Sequence, residues 1–352
     1  MSWLRRSAPI AALLAAVLAL SACAGGSPAE PAAGATGGAG FPVTIEHVHG
    51  KTEIPAKPKR IVTIGWMTED IVAALGTAPV GVPSAWGGDK DGFTPWFRSQ
   101  VTEVLKADLP TVLKEGEDPD FEQILSLQPD LILAPHSGVT ETQYQRLSEI
   151  APTVAYAERP WTSGSWKKLT RTVATALGEK ALGEKLIAQT EDRIDAAVKA
   201  HPKLRGTDFL YGLTLPEGST ELGLYISKDP RVAFLREFGL VDSPDLGKAL
   251  GNIGSDDFYG AVSLEKLGEI KSDLFVGWSR SASETKATLA NPVFSRWTPI
   301  ADGRFYFIED ETMGMATNGP TVLSIPWAID AGFVDELSKA AEGGSVVRPA
   351  KP

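Results

Sequence analysis

One cysteine, Cys23, and four histidines supply all the thiol and imidazole in the 352 residues. A lone cysteine excludes a disulfide framework and a cysteine-based metal site. His47 and His49 alternate on an expected strand and point the same way, but two ligands do not make a site. His136 and His201 lie far along the chain, and the first pair reads as hairpin surface. Positive charge is also scarce: the formal net charge is −10, which argues against electrostatic nucleic-acid binding. There is no Gly-x-Ser-x-Gly, no His-Glu-x-x-His and no phosphate loop, and no enzyme is expected. The longest apolar run, Ile10 to Leu20, is too short for a typical membrane span. What is plentiful is apolar side chain, 43% of residues, enough for sizeable cores.

The chain begins with an export pattern. Arg5 and Arg6 precede the apolar run, so residues 1–22 read as a signal peptide. The run ends in Leu20-Ser21-Ala22-Cys23, which resembles a bacterial lipobox, where the cysteine sulfur takes a diacylglycerol. Cys23 is the expected lipidation site; stable anchoring takes two or more acyl chains. Ala24 to Gly40 holds only Ala, Gly, Ser, Thr, Pro and one Glu. It cannot bury a core and reads as a flexible tether with a reach of about 23 Å.

The folded part is organised around residues 179–200. Ala181, Leu182, Leu186, Ile187, Ile194 and Val198 recur at spacings of three, four and seven, and Pro202 stops the pattern. Such a helix would be about 33 Å long. Strand-like runs alternate with helical ones on either side of it, which argues for mostly parallel sheets with helices on their faces. The expected fold is therefore α/β, two Rossmann-like lobes joined by one long backbone helix. The N-terminal lobe spans 41–178, the connecting helix 179–200, the C-terminal lobe 201–340 and a tail 341–352. An internal repeat supports two halves: Phe121 to Ala134 aligns without gaps on Leu264 to Gly277, each a helix feeding a strand. Glu122 and Glu265 match at its second position. A carboxylate in a first turn favours the positive helix end for that reason alone, but its recurrence in both halves points to a paired role.

Several segments, in order, resemble the iron-siderophore substrate-binding lipoproteins of ABC importers, relatives of the vitamin B12 and haem receptors with a helical backbone. They are Ile54 to Val62, Asp70 to Gly76 with Val80-Gly81-Val82, Phe121-Glu122 to Leu133, and Asn318-Gly319-Pro320. The resemblance covers about Phe41 to Ala340. Two departures touch the pocket: the segment Thr111 to Pro119 lacks the usual early glycine, and Met313-Gly-Met315 stands where a tryptophan is usual. The resemblance implies a monomeric receptor on the outer face of the cytoplasmic membrane, in a Gram-positive-type bacterium. It would bind an iron(III)-siderophore complex and deliver it to a permease dimer. It also implies that Glu122 and Glu265 form salt bridges with permease arginines. Haem or cobalamin is the alternative cargo, with His136 or Met313 as an axial ligand for haem. A cell-envelope lipoprotein enzyme or binding module is the alternative of a different class.

Ligands of such folds lie outside the carboxyl ends of the strands. The residues expected there are Trp66, Trp86, His136, Arg159, Trp161, Trp278 and Arg280, with Trp96 and Tyr225 as further candidates. Tryptophan offers apolar area with one donor, and arginine offers fixed donors that stay charged. Each tryptophan is equally consistent with core packing, and Arg159 and Arg280 with surface ion pairs. Trp166, Trp297 and Trp327 read as core.

Overall fold

A computed structural model describes residues 40–350 apart from 115, 162–163 and 252–256. The signal peptide, Cys23 and nearly all of the tether lie outside the described residues. The fold opens with a hairpin of β1 (Val43–His47) and β2 (Gly50–Ile54). The next five strands are β3 (Ile61–Thr63), β4 (Gly81–Val82), β5 (Thr111–Val112), β6 (Leu131–Leu133) and β7 (Thr153–Val154). They form one fully parallel sheet in the order β5-β4-β3-β6-β7. The chain leaves β3 in one direction and returns to its other side as β6, so the switch of direction falls between these two strands.

The second half contributes β8 (Asp208–Leu213), β9 (Glu221–Tyr225), β10 (Val241–Asp242), β11 (Tyr259–Ser263), β12 (Leu274–Trp278), β13 (Phe305–Ile308) and β14 (Val346–Arg348). Their order is β11-β9-β8-β12-β13-β14, with β10 beside the start of β8. The sheet is parallel across β8-β12-β13-β14, while β9 runs antiparallel to β8, and β11 antiparallel to β9, at its edge. The expected tail from 341 is thus partly structural: Val346 to Arg348 pair with β13, because two β-branched residues there complete an otherwise open edge.

The backbone helix runs Lys180–Ala200 and buries Ile187, Thr190, Ile194, Ala197 and Val198. These fall on one face at helical spacing, toward the helices Trp166–Ala176 and Ser324–Asp330. The largest apolar cluster spans both halves, from Ile71 and Phe97 to Phe238 and Ile325. Smaller clusters sit around Phe275 and around Ile132. The repeat is kept with one change: its second helix, Leu264–Glu269, is a 3-10 helix.

Candidate functional site

The first wall of the site stands at the switch point of the parallel sheet. Trp66 follows β3 and His136 follows β6, and the Trp66 amide donates to the His136 carbonyl at 3.1 Å. Crevices of this kind are where open α/β sheets take ligands. Trp161 follows β7. Its indole lies 5.9 Å from Trp66 and 6.0 Å from His136, centroid to centroid, and it is 40% exposed. The second half closes the space with Pro230, Arg231, Phe258 and Asn318. The resulting cavity is about 260 Å³. Trp66 and Trp161 also border a crevice of about 740 Å³ over the ends of the first sheet.

Among the described residues, Arg231 is the one charged side chain on that cavity's wall. It lies in the first turn of the helix Pro230–Glu237, whose cap is Asp229. Both Asp229 oxygens accept from the guanidinium at 2.7 Å, and Asp229 is 1% exposed. Burial works against the Arg231 charge, but the Asp229 carboxylate outweighs it and holds the guanidinium above its ordinary range. The guanidinium carbon also stands 4.0 Å from the Tyr225 ring centre, a favourable cation–π placement. Tyr225 stacks on Tyr211, whose hydroxyl donates to Asn318 at 2.7 Å. Arg231 is therefore fixed from two sides, with its charge largely neutralised. Burial, and secondly the Arg231 charge, bring the His136 pKa down to about 4. His136 is therefore neutral across the physiological range.

The halves also meet at Trp86 and Trp278, whose rings stand edge to face at 5.5 Å. They close on Gly314 of the helix Glu311–Asn318; a Cβ there would sit 2.7 Å from Trp86. Beside them Gly87 (φ 71°) presses its backbone on Glu311, and Thr312 donates to the Gly87 carbonyl at 2.8 Å.

The structure thus gathers Trp66, His136 and Trp161 around one cavity. Tyr225 backs that cavity through Arg231, and Trp86 and Trp278 form a separate seam. Other expectations are corrected. Trp96 is buried against Trp327, and its indole donates to Asp70 at 2.7 Å, so it belongs to the interior. Arg280 pairs with Glu284 at 3.0 Å and borders a different cavity. Arg159 is half-buried and lines none of the cavities described here. Met313 is fully buried, which removes it as an axial ligand. His47 is buried and bonded to Thr52, and His49 stacks on Tyr144, so this pair is not free surface. Arg231, Tyr211 and Asn318 are absent from the sequence-based site. The signal for Arg231 was Asp229-Pro230, a cap and first-turn proline that place Arg231 in the first turn of a helix.

Glu122 and Glu265 are both exposed, with no side-chain partner among the described residues. Each begins a helix that runs back against the parallel strands, so both stand at the strand-end face of their sheets. Leu125, one turn beyond Glu122, is 59% exposed.

Comparison with known proteins gives a consistent result. The family model described as periplasmic binding protein matches residues 61–312. The chain is 34% identical over 184 residues to YfiY of Bacillus subtilis, described as a probable siderophore-binding lipoprotein; that match spans about half of each chain (51%). It is 27% identical to the Fe(3+)-citrate-binding protein YfmC of the same organism, over 76% of this chain and 78% of that one. Among solved structures, PiaA of Streptococcus pneumoniae in complex with ferrichrome superposes with a TM-score of 0.76. Identity there is 29%, over 85% of this chain and 99% of PiaA.

Proposed function

Because this chain belongs to the periplasmic binding protein family, a family of binding proteins and not of enzymes, we propose that it is the receptor of an iron-importing ABC transporter. Its proposed cargo is a ferric siderophore of the hydroxamate class. The observation that carries this reading is the cavity built from both halves: two tryptophans, a neutral histidine and one neutralised arginine. A siderophore wraps its iron in its own oxygens, so the receptor grips an organic shell. A neutral trihydroxamate complex fits walls that are aromatic and near charge balance. A trianionic catecholate complex would call for several uncompensated cations. Arg231 presents fixed donors to oxygens of the shell, and the indoles cover its apolar faces. The relatives' described ligands, siderophore, ferric citrate and ferrichrome, are of the same kind.

The test is titration of tryptophan emission with ferric complexes of a trihydroxamate, a tricatecholate and citrate, and with haemin. Saturable quenching strongest with the trihydroxamate, weakened at least tenfold by Arg231→Ala, is expected. Preference for haemin with a Soret shift would replace this reading with a haem receptor using His136.

The partner and anchor are further parts of the proposal. The receptor is lipidated at Cys23, tethered to the outer face of the cytoplasmic membrane and monomeric. It docks through Glu122 and Glu265 on a permease dimer. Support comes from the lipobox pattern, from the description of YfiY as a lipoprotein, and from the two carboxylates exposed without partners. Among the described residues no helix is long and apolar enough to cross a membrane.

A further inference from the structure

A second inter-lobe cavity, of about 650 Å³, lies on the other side of the Trp86–Trp278 seam. Its walls include Asp89, Glu103, Arg98, Arg280, Glu309 and Glu311. The cations here are already engaged. Arg98 pairs with Asp89 at 2.6 Å and Asp91 at 2.8 Å, Lys90 with Asp91 at 2.9 Å, and Arg280 with Glu284 at 3.0 Å. Asp310 is taken by Arg348 at 3.2 Å. Glu309 differs from all of these. It is 5% exposed, it borders the cavity, and its carboxylate has no partner among the described residues. Glu311, beside it at the mouth, is exposed and likewise without a side-chain partner. The Glu309 side chain lines the cavity wall while its residue is otherwise enclosed, so it presents a fixed negative charge to a cation supplied from outside. No group of three or more acidic or histidine side chains among the described residues is placed to hold a metal ion. The fitting cation is therefore organic, an ammonium or guanidinium.

The helix Glu311–Asn318 connects the two cavities. Thr312 borders the second and Asn318 the first, about 9 Å apart along the helix axis. Gly314 lies between them, under Trp86 and Trp278, both only half-buried. An alkyl chain leaving a chelate in the first cavity has an aromatic surface to cross and a carboxylate beyond it. We infer that Glu309 and Glu311 form an ammonium subsite, and that the receptor selects ferric siderophores carrying a cationic pendant arm. This inference rests on the siderophore reading and narrows it.

The experiment compares a linear ferric trihydroxamate ending in a primary ammonium with the same chelate N-acetylated. Tryptophan quenching is followed on the purified wild type, on Glu309→Gln and on Glu311→Gln. The free ammonium should bind at least tenfold more tightly to wild type. Glu309→Gln should shrink that ratio to within twofold and leave the acetylated chelate unchanged. Glu311→Gln, at an exposed position that does not endanger folding, should shrink it in part. Equal affinity of the two chelates for wild type overturns the subsite and leaves the siderophore reading intact. A preference that survives both substitutions also overturns it, since the ammonium then sits elsewhere. Binding of neither chelate overturns the hydroxamate reading of the cargo, and the subsite with it.

Discussion

Glu69 offers a sharp test of how burial and charge are balanced in the interior of the first half. It sits beside Asp70 in the first turn of the helix Thr68–Ala74, and both are buried. One oxygen of each carboxyl has no partner. The other Asp70 oxygen accepts from Trp96 at 2.7 Å and from Thr321 at 2.8 Å, which ties the first half to the segment entering the helix Ser324–Asp330. Burial first, and the Asp70 charge second, push the Glu69 pKa up to about 8. Burial pushes Asp70 up to about 7, against the two hydrogen bonds that favour its ionised form. Both folded values lie above the unfolded ones, so the folded state holds these protons more tightly. The stability they contribute is complete below the unfolded values near pH 4. It declines as pH rises toward 8. Each unit of difference is worth roughly 1.4 kcal/mol, so by pH 7 Glu69 ionisation costs at most about 3 kcal/mol. Glu69→Gln keeps the shape and stays neutral. It should match wild type at pH 4.5 and exceed it at pH 8 by about 1–3 kcal/mol. Urea unfolding of both proteins at pH 4.5, 6 and 8 measures this. Parallel stability profiles would refute the argument, because they would mean that Glu69 reaches solvent or a cation when ionised.

Other perturbations have expected outcomes of their own. Asp229→Ala leaves Arg231 charged and half-held; ligand affinity should drop by about 2–5 kcal/mol, the scale for truncating one partner of a buried charge pair, read by tryptophan quenching. Gly314→Val should force Trp86 and Trp278 apart and lower stability by about 1–3 kcal/mol, measured as a shift in the urea midpoint. Glu122→Ala with Glu265→Ala should leave ligand binding and folding intact and reduce iron-complex uptake in cells, with reversal to Arg worse than Ala. Full uptake by the double variant would make both carboxylates simple helix-end charges. Cys23→Ala should move the protein from the membrane to the soluble fraction, and retention on membranes would count against lipidation.

Periodicity carried the α/β class and the long helix at 180–200, because both depend on local spacing of apolar residues. It also carried β6 and β12, the strands of the two repeat copies, whose short apolar runs are buried. It did not carry β14. Three residues cannot show a period, and Val346 to Arg348 become a strand only because β13 leaves an edge to fill. The place of Trp66 and His136 on one cavity wall was legible by rule, since each follows a strand of a parallel sheet. Trp96 follows the same rule loosely, yet Asp70 and Trp327 draw it inward.

Arginines separate most clearly. Arg159 and Arg231 each lie within two residues of a carboxylate in the chain, and Arg280 lies four residues from one. Arg280 lies just before the helix Ala282–Ala290, meets Glu284 in its first turn and is held at the surface. Arg231 is held by a buried aspartate and stands over the ring of Tyr225, the last residue of β9. Composition and spacing fix how many such side chains there are and which elements carry them. Which one faces the cavity, and how much of its charge is left, depends on groups brought together from distant parts of the chain. Burial and electrostatic pairing are properties of that assembly, so only the tertiary structure decides them.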